Sequence, residues 1–332
     1  MALLGTTALT LIDHAKRLDP NGAIATVIEL LNQTNEFLLD LSFVEGNLPT
    51  GHRTTVRTGL PEVYWRSINQ GVPPSKSTTA QVDDTCGMLE GYSKVDKKLA
   101  DLNGNTAAFR LSEDRPFMEA MSQEIASTLL YGNPATEPKK FLGLAPRYST
   151  LDTTKAANAQ NVIDAGGTGT DNTSIWLIVY GDQTVHGIFP KGMQAGMQHK
   201  DLGEDTVSDG NGGEYQAYRT HFTWDAGLSV RDWRYAVRIA NVDVSNIRTD
   251  PAAQKALINF MIDAEERIPQ LGMGTATWLM NRTVRTALRK GILEKVSNNL
   301  TEESVAGKRV TMFDGIPCRA NDALLNTEAR VI

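Results

Sequence analysis

The chain has 332 residues, of which 41% are hydrophobic and 22% charged, and its net charge is −6. This composition is typical of globular proteins and excludes the disordered and fibrous classes. The 33 basic residues form no long run of like charge, so the charge pattern does not favour direct, tight binding of nucleic acid.

The cysteines and the N-terminal residues indicate the compartment. Cys86 and Cys318 are far apart in sequence, which fits a reducing compartment better than a disulfide framework. The first residues lack a basic start, and threonines interrupt their apolar stretch, so we predict no secretory signal. No run of about 18 apolar residues occurs, so we predict no membrane span. We expect a protein that folds in a cytoplasm.

The N-terminal part begins with two predicted helices, over residues 8–18 and 22–41. Residues 46–61, "GNLPTGHRTTVRTGLP", are rich in Gly, Pro and Thr and predict an extended excursion, a hairpin. Residues 63–81 continue it as a long, polar, turn-rich loop. Such a loop is unusual in a compact domain unless it serves a function or a partner.

A long helix is predicted over residues 112–132. Its apolar side chains recur every four residues, at Phe117, Met121, Ile125 and Leu129.

The same stretch contains residues that predict where the helix starts and stops. Ser112 or Asp114 is expected to cap its start, and Pro116 to lie in its first turn. Gly132 is expected to end it in the left-handed conformation.

Residues 160–248 form a predicted β block. "SIWLIVYG" and "TVHGIFP" are expected strands, and "DGNGG" (209–213) is a turn signal before the strand "EYQAYRTHFTW". Residues 233–240 alternate large apolar side chains with Arg and Ala, which predicts a half-buried strand.

Helix and strand signals are mixed in the last 80 or so residues. Asp250 and Pro251 predict the start of a helix that ends before Pro269. Residues 275–281, "TATWLMN", predict a strand, and Asn281 is expected to cap a helix that Gly291 closes. The remaining tail predicts strand, turn and strand. Helices and strands occur in blocks, so the predicted fold class is α+β.

The stretch "FDGIPCRANDAL" (313–324) contains three groups with possible chemistry. Asp314 and Asp322 could form an acid–base pair, and Cys318 could be a nucleophile, which would make the protein a hydrolase. No local motif supports either role. Turn chemistry at both aspartates and a small core residue at Cys318 are the favoured interpretation.

Other candidate sites are weaker. The glycine-rich residues 164–174 precede a strand and lack the ending of a phosphate loop, so a flexible loop is favoured. His186, His199 and Asp201 lack the tight spacing of metal ligands, and solvated loop histidines are expected. In residues 219–241, aspartates interleave with the aromatics and arginines, which favours core packing over nucleic-acid stacking. The sequence therefore predicts no catalytic, cofactor or metal site.

Several segments together resemble the major capsid proteins of tailed bacteriophages. "AFRLSEDRPFMEAMSQEIASTLLYGN" with "FLGLAPRYS" resembles their long helix and the Pro/Gly-rich stretch after it, and "ATWLMNRTVRTALRK" resembles a strand that leads into a basic helix. "FDGIPCRANDAL" resembles their closing strand and turn, with Cys318 where valine is commoner. "VRTGLPEVYWRSINQGVPPSKSTTAQV" resembles the extended loop of podophage-type shell proteins. The resemblance covers about half of the chain.

The resemblance implies the tailed-phage capsid fold. The implied parts are listed here in chain order: an N-terminal helical arm at 1–48, an extended loop at 49–82, a peripheral-type domain at 83–250 with spine helix 112–132 and β block 160–248, an axial-type domain at 251–312, and a C-terminal strand at 313–332 that returns to the core. The β block stands between segments that are adjacent in typical members, which implies inserted or permuted core elements.

The function that follows from the resemblance is structural. Copies are expected to assemble as pentamers and hexamers into an icosahedral shell around double-stranded DNA, without sequence-specific binding. The implied partners are a separate scaffolding protein, because no charged pro-segment opens the chain, with a portal and a decoration protein. The protein would be part of the virion, assembled in the bacterial cytoplasm. The alternatives are the hydrolase and a host-encoded shell of the same fold that encloses cargo.

Overall fold

The computed structural model describes residue 33 and residues 35–102, 104–209, 212–293, 300–305 and 308–332. These residues form two compact units. The first contains residues 88–126 and 196–225, and the second contains 35–87, 127–195 and 226–332. The two predicted N-terminal helices lie largely outside the described residues. Within 36–41, one 3-10 turn is present at Glu36–Leu39.

The described strands are β1 Phe43–Glu45, β2 Gly51–Gly59, β3 Thr78–Asp96, β4 Val162–Asp164, β5 Asn172–Tyr180, β6 Val185–Phe189, β7 Gln198–Ser208, β8 Glu214–Val230, β9 Ala236–Asp243, β10 Thr275–Met280, β11 Leu300–Val305, β12 Lys308–Phe313 and β13 Ile316–Ala320. The described helices are α1 Lys97–Ala100, α2 Thr106–Tyr131, α3 Leu144–Arg147, α4 Val244–Thr249, α5 Pro251–Glu266 and α6 Arg282–Leu293.

Strand β5 lies at the centre of the second unit. It pairs antiparallel with β9 on one side and with β10 on the other, and all nine of its residues are buried. Strand β10 pairs in parallel with β13, which brings Trp278 opposite Cys318. Residues 162–180 and 236–243 of the predicted β block therefore belong to the same sheet as the "WLMN" strand.

Helices α5 and α6 supply apolar side chains to the core of this unit. The core cluster contains Leu257, Met261 and Ala264 from α5 and Val284 and Leu288 from α6, together with residues of β5, β9 and β10. The apolar face predicted for α5 is confirmed. Its predicted start is also confirmed, because the Asp250 side chain accepts a hydrogen bond from the backbone N–H of Ala252 at 2.8 Å.

The predicted boundaries of the long helix were wrong at its start. Helix α2 begins at Thr106, so Pro116 lies in its interior and not in its first turn. The Ser112 hydroxyl donates to the carbonyl of Phe109 instead of capping a helix start. Phe109 is 1% exposed and packs with Val95 and Leu99 in the first unit, and this burial explains why the helix extends further than its caps predicted.

Gly132 follows the helix as predicted, but for a different reason. It is not among the glycines with a positive φ. A Cβ atom at this position would lie 2.4 Å from the carbonyl oxygen of Phe141 and 2.6 Å from that of Thr128. The glycine is required by a close approach of backbone, and the Gly143 N–H donates to its carbonyl at 2.8 Å.

Two other boundaries differ from the prediction. Trp233–Tyr235 forms a 3-10 turn, and β9 starts only at Ala236. Strand β9 is buried on both faces, because it lies between β4 and β5 inside the sheet, so it is not the predicted half-buried strand. Helix α6 is capped by Asn281 as predicted, but it passes through Gly291 and ends at Leu293.

The closing hairpin is as predicted. Asp314 and Gly315 have φ values of 46° and 80°, the two positive values that a tight turn between β12 and β13 requires. Beyond it, the tail is fixed to the central strands by backbone bonds. The N–H of Asn321 donates to Met280, and the N–H of Glu328 donates to Asn172.

The first unit is built on the β7–β8 pair. Its register runs from Gln198 opposite Thr223 to Ser208 opposite Glu214. The predicted turn at 209–213 is confirmed for its described ends, because the Asp209 N–H donates to the Gly213 carbonyl at 2.9 Å.

Candidate assembly surface

An extended hairpin projects exposed residues from the second unit. Strands β2 and β3 pair antiparallel from Gly51 opposite Thr85 to Gly59 opposite Thr78, and residues 60–77 join them. The predicted extended excursion is confirmed, but residues 46–61 supply only one strand of the hairpin, and the second strand, β3, begins at Thr78 inside the predicted loop 63–81. An isolated two-stranded ribbon is only marginally stable in water, so the hairpin depends on other contacts.

The tip of this hairpin carries exposed apolar side chains. We call them the apolar tip: Leu60, Val63, Trp65, Ile68 and Val72. Trp65 is 105% exposed and Ile68 is 89% exposed. The sequence interpretation of this loop as simply polar missed them. Contiguous apolar side chains on an exposed extension mark an interaction site.

The stem of the hairpin is held by polar pairs. Arg53 donates to both oxygens of Asp83 across the ribbon, at 2.6 and 2.7 Å, and both side chains are about half exposed. Nearer the tip, the hydroxyls of Thr58 and Thr78 lie 3.1 Å apart. These contacts keep the strands in register and contribute little to overall stability.

The root of the hairpin is buried and charged. His52 and Asp84 are 7% and 5% exposed. The Arg147 guanidinium donates to Asp84 at 2.7 Å, and Arg231 Nη2 lies 2.9 Å from His52 Nε2. Both arginines come from outside the hairpin, so they fix its base to the central sheet.

His186, on β6, lies against this root and is fully buried. Its ring centroid is 6.1 Å from that of His52, and the two rings meet edge to face. Burial and the charge of Arg231 lower the pKa of His186 to about 4. The expectation of a solvated loop histidine was wrong, because β6 lies inside the sheet.

The lowered pKa predicts acid sensitivity. In the unfolded chain His186 titrates near 6.5, whereas in the folded protein its pKa is about 4. Between these values the unfolded state binds more protons, so stability is lost as the pH falls from about 6.5 to about 4, by up to about 3 kcal/mol. Urea unfolding at several pH values measures this. His186→Phe should flatten the profile in this window, and parallel profiles for variant and wild type would refute the assignment.

The three groups of "FDGIPCRANDAL" have separate structural roles. Asp314 is exposed in the tight turn. Asp322 pairs with Arg282 at 2.7 Å. Cys318 is 2% exposed in the core, and burial raises the pKa of its thiol to about 12, so it stays protonated at neutral pH.

Glu265, near the end of α5, is a residue that the sequence interpretation missed. Burial and the negative charge of nearby Asp314 raise its pKa to about 7. Neither the sequence around Glu265 nor the sequence around Asp314 carries a motif, so only the fold could have shown that the two residues are neighbours.

The remaining sequence candidates do not converge on one site. In the first unit, His199 packs beside Phe222 and Asp201 pairs with Arg110. Residues 165–171 of the glycine-rich stretch join β4 to β5, and Asp171 accepts a hydrogen bond from the Ser245 N–H at 3.1 Å. Within the described ranges there is no group of three or more side chains placed to hold a metal ion.

The aromatic residues of 219–241 are consistent with the predicted packing role. Phe222 and Tyr235 are buried, at 1% and 7% exposure.

In the part of the chain that the structure describes, no helix is both long enough and apolar enough to cross a membrane.

Comparison with solved structures identifies shell proteins. The chain is similar to a protein in the structure of bacteriophage Epsilon15, with 40% sequence identity, a TM-score of 0.79, and coverage of 100% of this chain and 99% of that one. A likeness to the bacteriophage JBD30 capsid, at 9% identity and a TM-score of 0.51, covers 92% of this chain and 99% of that one and shows the fold. No curated protein sequence matches the chain.

The fold is that of tailed-phage capsid subunits. The role of this chain is therefore structural: it forms a shell. The family model of the major capsid protein GP7 matches residues 19–332, and the chain belongs to that family. The protein is thus a virion component that assembles with copies of itself.

Proposed function

We propose that the extended hairpin is the element that joins neighbouring copies in the shell. The observation that carries this proposal is the apolar tip, whose side chains are 50–105% exposed at the end of a polar stem. Burying these side chains on a neighbour would supply about 25 cal/mol for each Å² of apolar surface removed from water. Many modest contacts of this kind add up in a closed shell.

The proposed shell is icosahedral, is built of pentamers and hexamers, and encloses double-stranded DNA. The N-terminal arm (1–48) and the extended loop (49–82) would reach across neighbours, and the axial-type domain (251–312) would meet its copies around the symmetry axes. The peripheral-type domain (83–250) and the C-terminal strand (313–332) would form the body of the subunit. The net charge of −6 supports this arrangement, because a mildly acidic wall does not hold DNA tightly.

A separate scaffolding protein is a proposed partner, with a portal and a decoration protein. Exposed apolar side chains favour premature, non-specific association of subunits. A scaffolding protein would control which subunits bind each other, and when, during assembly in the bacterial cytoplasm. We assign no catalytic role to Asp314, Asp322 or Cys318. The tight turn accounts for Asp314, the ion pair with Arg282 for Asp322, and core packing for Cys318.

Particle formation tests the proposal. The purified chain, alone or with a scaffolding protein, is expected to form large closed particles, seen by light scattering and negative-stain microscopy. A stable monomer or dimer under all these conditions, or a hydrolase turnover abolished by Asp314→Ala or Cys318→Ser, would contradict it.

A further inference from the structure

A basic pocket lies on the second unit beside helices α4 and α6. Its volume is about 290 Å³, and it is lined by Arg248, Arg282, Thr283, Thr286, Ala287 and Lys290. The lining thus combines three cationic side chains with two hydroxyls. The volume is about ten times the ~30 Å³ that a water molecule takes in the liquid, which is enough for an oxyanion with part of its hydration shell.

The cations of the basic pocket are only partly neutralised. Arg282 pairs with Asp322 at 2.7 Å and remains 55% exposed. Arg248 and Lys290 form no ion pair with a carboxylate of the described residues. Residues 244–293 hold seven Lys or Arg and four Asp or Glu, and adding Asp322 and Glu36, which pair with Arg282 and Arg285, leaves a local charge of +1 in a chain of net charge −6.

The direction of helix α6 adds to this field. The pocket runs along the helix from Arg282 in its first turn to Lys290 in its last, so its Arg282 end lies at the positive end of the helix dipole. Arginine guanidinium groups bind phosphate oxygens through two parallel N–H bonds, and lysine adds a mobile point charge.

We propose that the basic pocket is a binding site for phosphate groups. The phosphodiester backbone of DNA and free phosphate or oligophosphate present the same oxyanion chemistry to it. Only the DNA source rests on the proposed function, because enclosed DNA would be the most abundant phosphate inside the shell. Contacts at separate pockets would position the DNA against the wall without reading its sequence.

Three probes test the site on full-length protein at low salt: inorganic phosphate, tripolyphosphate and a short labelled DNA duplex. The pocket variant is Arg248→Gln with Lys290→Gln. The matched control, Lys139→Gln with Lys200→Gln, removes two exposed charges outside residues 244–293. Losing two charge-assisted contacts should weaken binding at least about tenfold in the pocket variant, and the control should stay within about twofold of wild type.

The outcomes separate the phosphate sources. If the pocket variant binds both tripolyphosphate and DNA more weakly than wild type, the pocket is a site for the DNA backbone. If it binds tripolyphosphate more weakly and the wild-type protein binds no DNA, the pocket is a site for free phosphate. If both double variants lose DNA affinity equally, or if none of the probes binds wild-type protein, the proposal is overturned. Particle formation is measured in parallel, so a failed phosphate site leaves the shell-forming role intact.

Discussion

Replacing Glu328 by alanine is expected to destabilise the folded subunit by about 3–5 kcal/mol. Glu328 and Arg238 are each 5% exposed, and Arg238 Nη2 donates to Glu328 Oε2 at 2.8 Å. Without the carboxylate, a guanidinium would remain in the core with its charge unpaired. That penalty exceeds the energy of the lost contact itself.

The surrounding contacts explain why Arg238 cannot escape to water. Its other nitrogens donate to the Ser174 hydroxyl at 2.9 Å and to the Tyr148 carbonyl at 2.8 Å, and its guanidinium stacks over the ring of Trp176. Glu328 also accepts hydrogen bonds from the hydroxyls of Tyr131 and Ser174. The tail is thereby fixed to β5, β9 and α2 at one point.

Urea unfolding of purified subunits measures this effect. Asp83→Ala is the matched control, because its partner Arg53 is half exposed and such a pair contributes at most about 1 kcal/mol. Arg238→Met combined with Glu328→Leu should recover part of the loss. If Glu328→Ala costs no more than Asp83→Ala, the pair does not stabilise the tail.

Polar substitution of the apolar tip is expected to abolish particles without unfolding the subunit. In Trp65→Ser with Ile68→Ser, two almost fully exposed apolar side chains are lost, so the isolated fold should change by less than about 0.5 kcal/mol. At an interface, a buried tryptophan typically contributes 2 kcal/mol or more, and every subunit of the shell would lose that contribution.

Sedimentation and negative-stain microscopy give the assembly readout, and circular dichroism gives the fold. The control Leu102→Ser with Met193→Ser removes two other exposed apolar side chains outside both the hairpin and residues 251–312, at 53% and 55% exposure. Particles should persist in the control. Particles of normal yield from the tip variant would show that the hairpin tip does not join subunits.

Features determined by a few adjacent residues were predictable from the sequence. The Asp314–Gly315 turn and the caps at Asp250 and Asn281 depend on local backbone chemistry, and all three are present. The start of α2 was not predictable in this way, because the burial of Phe109 depends on residues brought together by the fold. The need for glycine at position 132 was not predictable either, because it comes from the close approach of the backbone of residues 141–143.

Surface function was harder to predict than fold. The resemblance identified the extended loop, but its polar composition as a whole hid the apolar residues at 60–72. His186 and Glu265 have ordinary sequence surroundings, and their shifted pKa values arise from burial and from charges distant in sequence. Residues that are neighbours only in the folded structure have no characteristic spacing in the sequence, so their pKa shifts could not be predicted from it.

Hydroxyl-radical footprinting of subunits and assembled particles tests the central claim most directly. Trp65 is fully exposed in the isolated chain, whereas Trp176 and Trp278 are buried and serve as internal references. Assembly is predicted to protect Trp65 strongly from modification and to leave the two references unchanged. Equal modification of Trp65 in subunits and in closed particles would contradict the account.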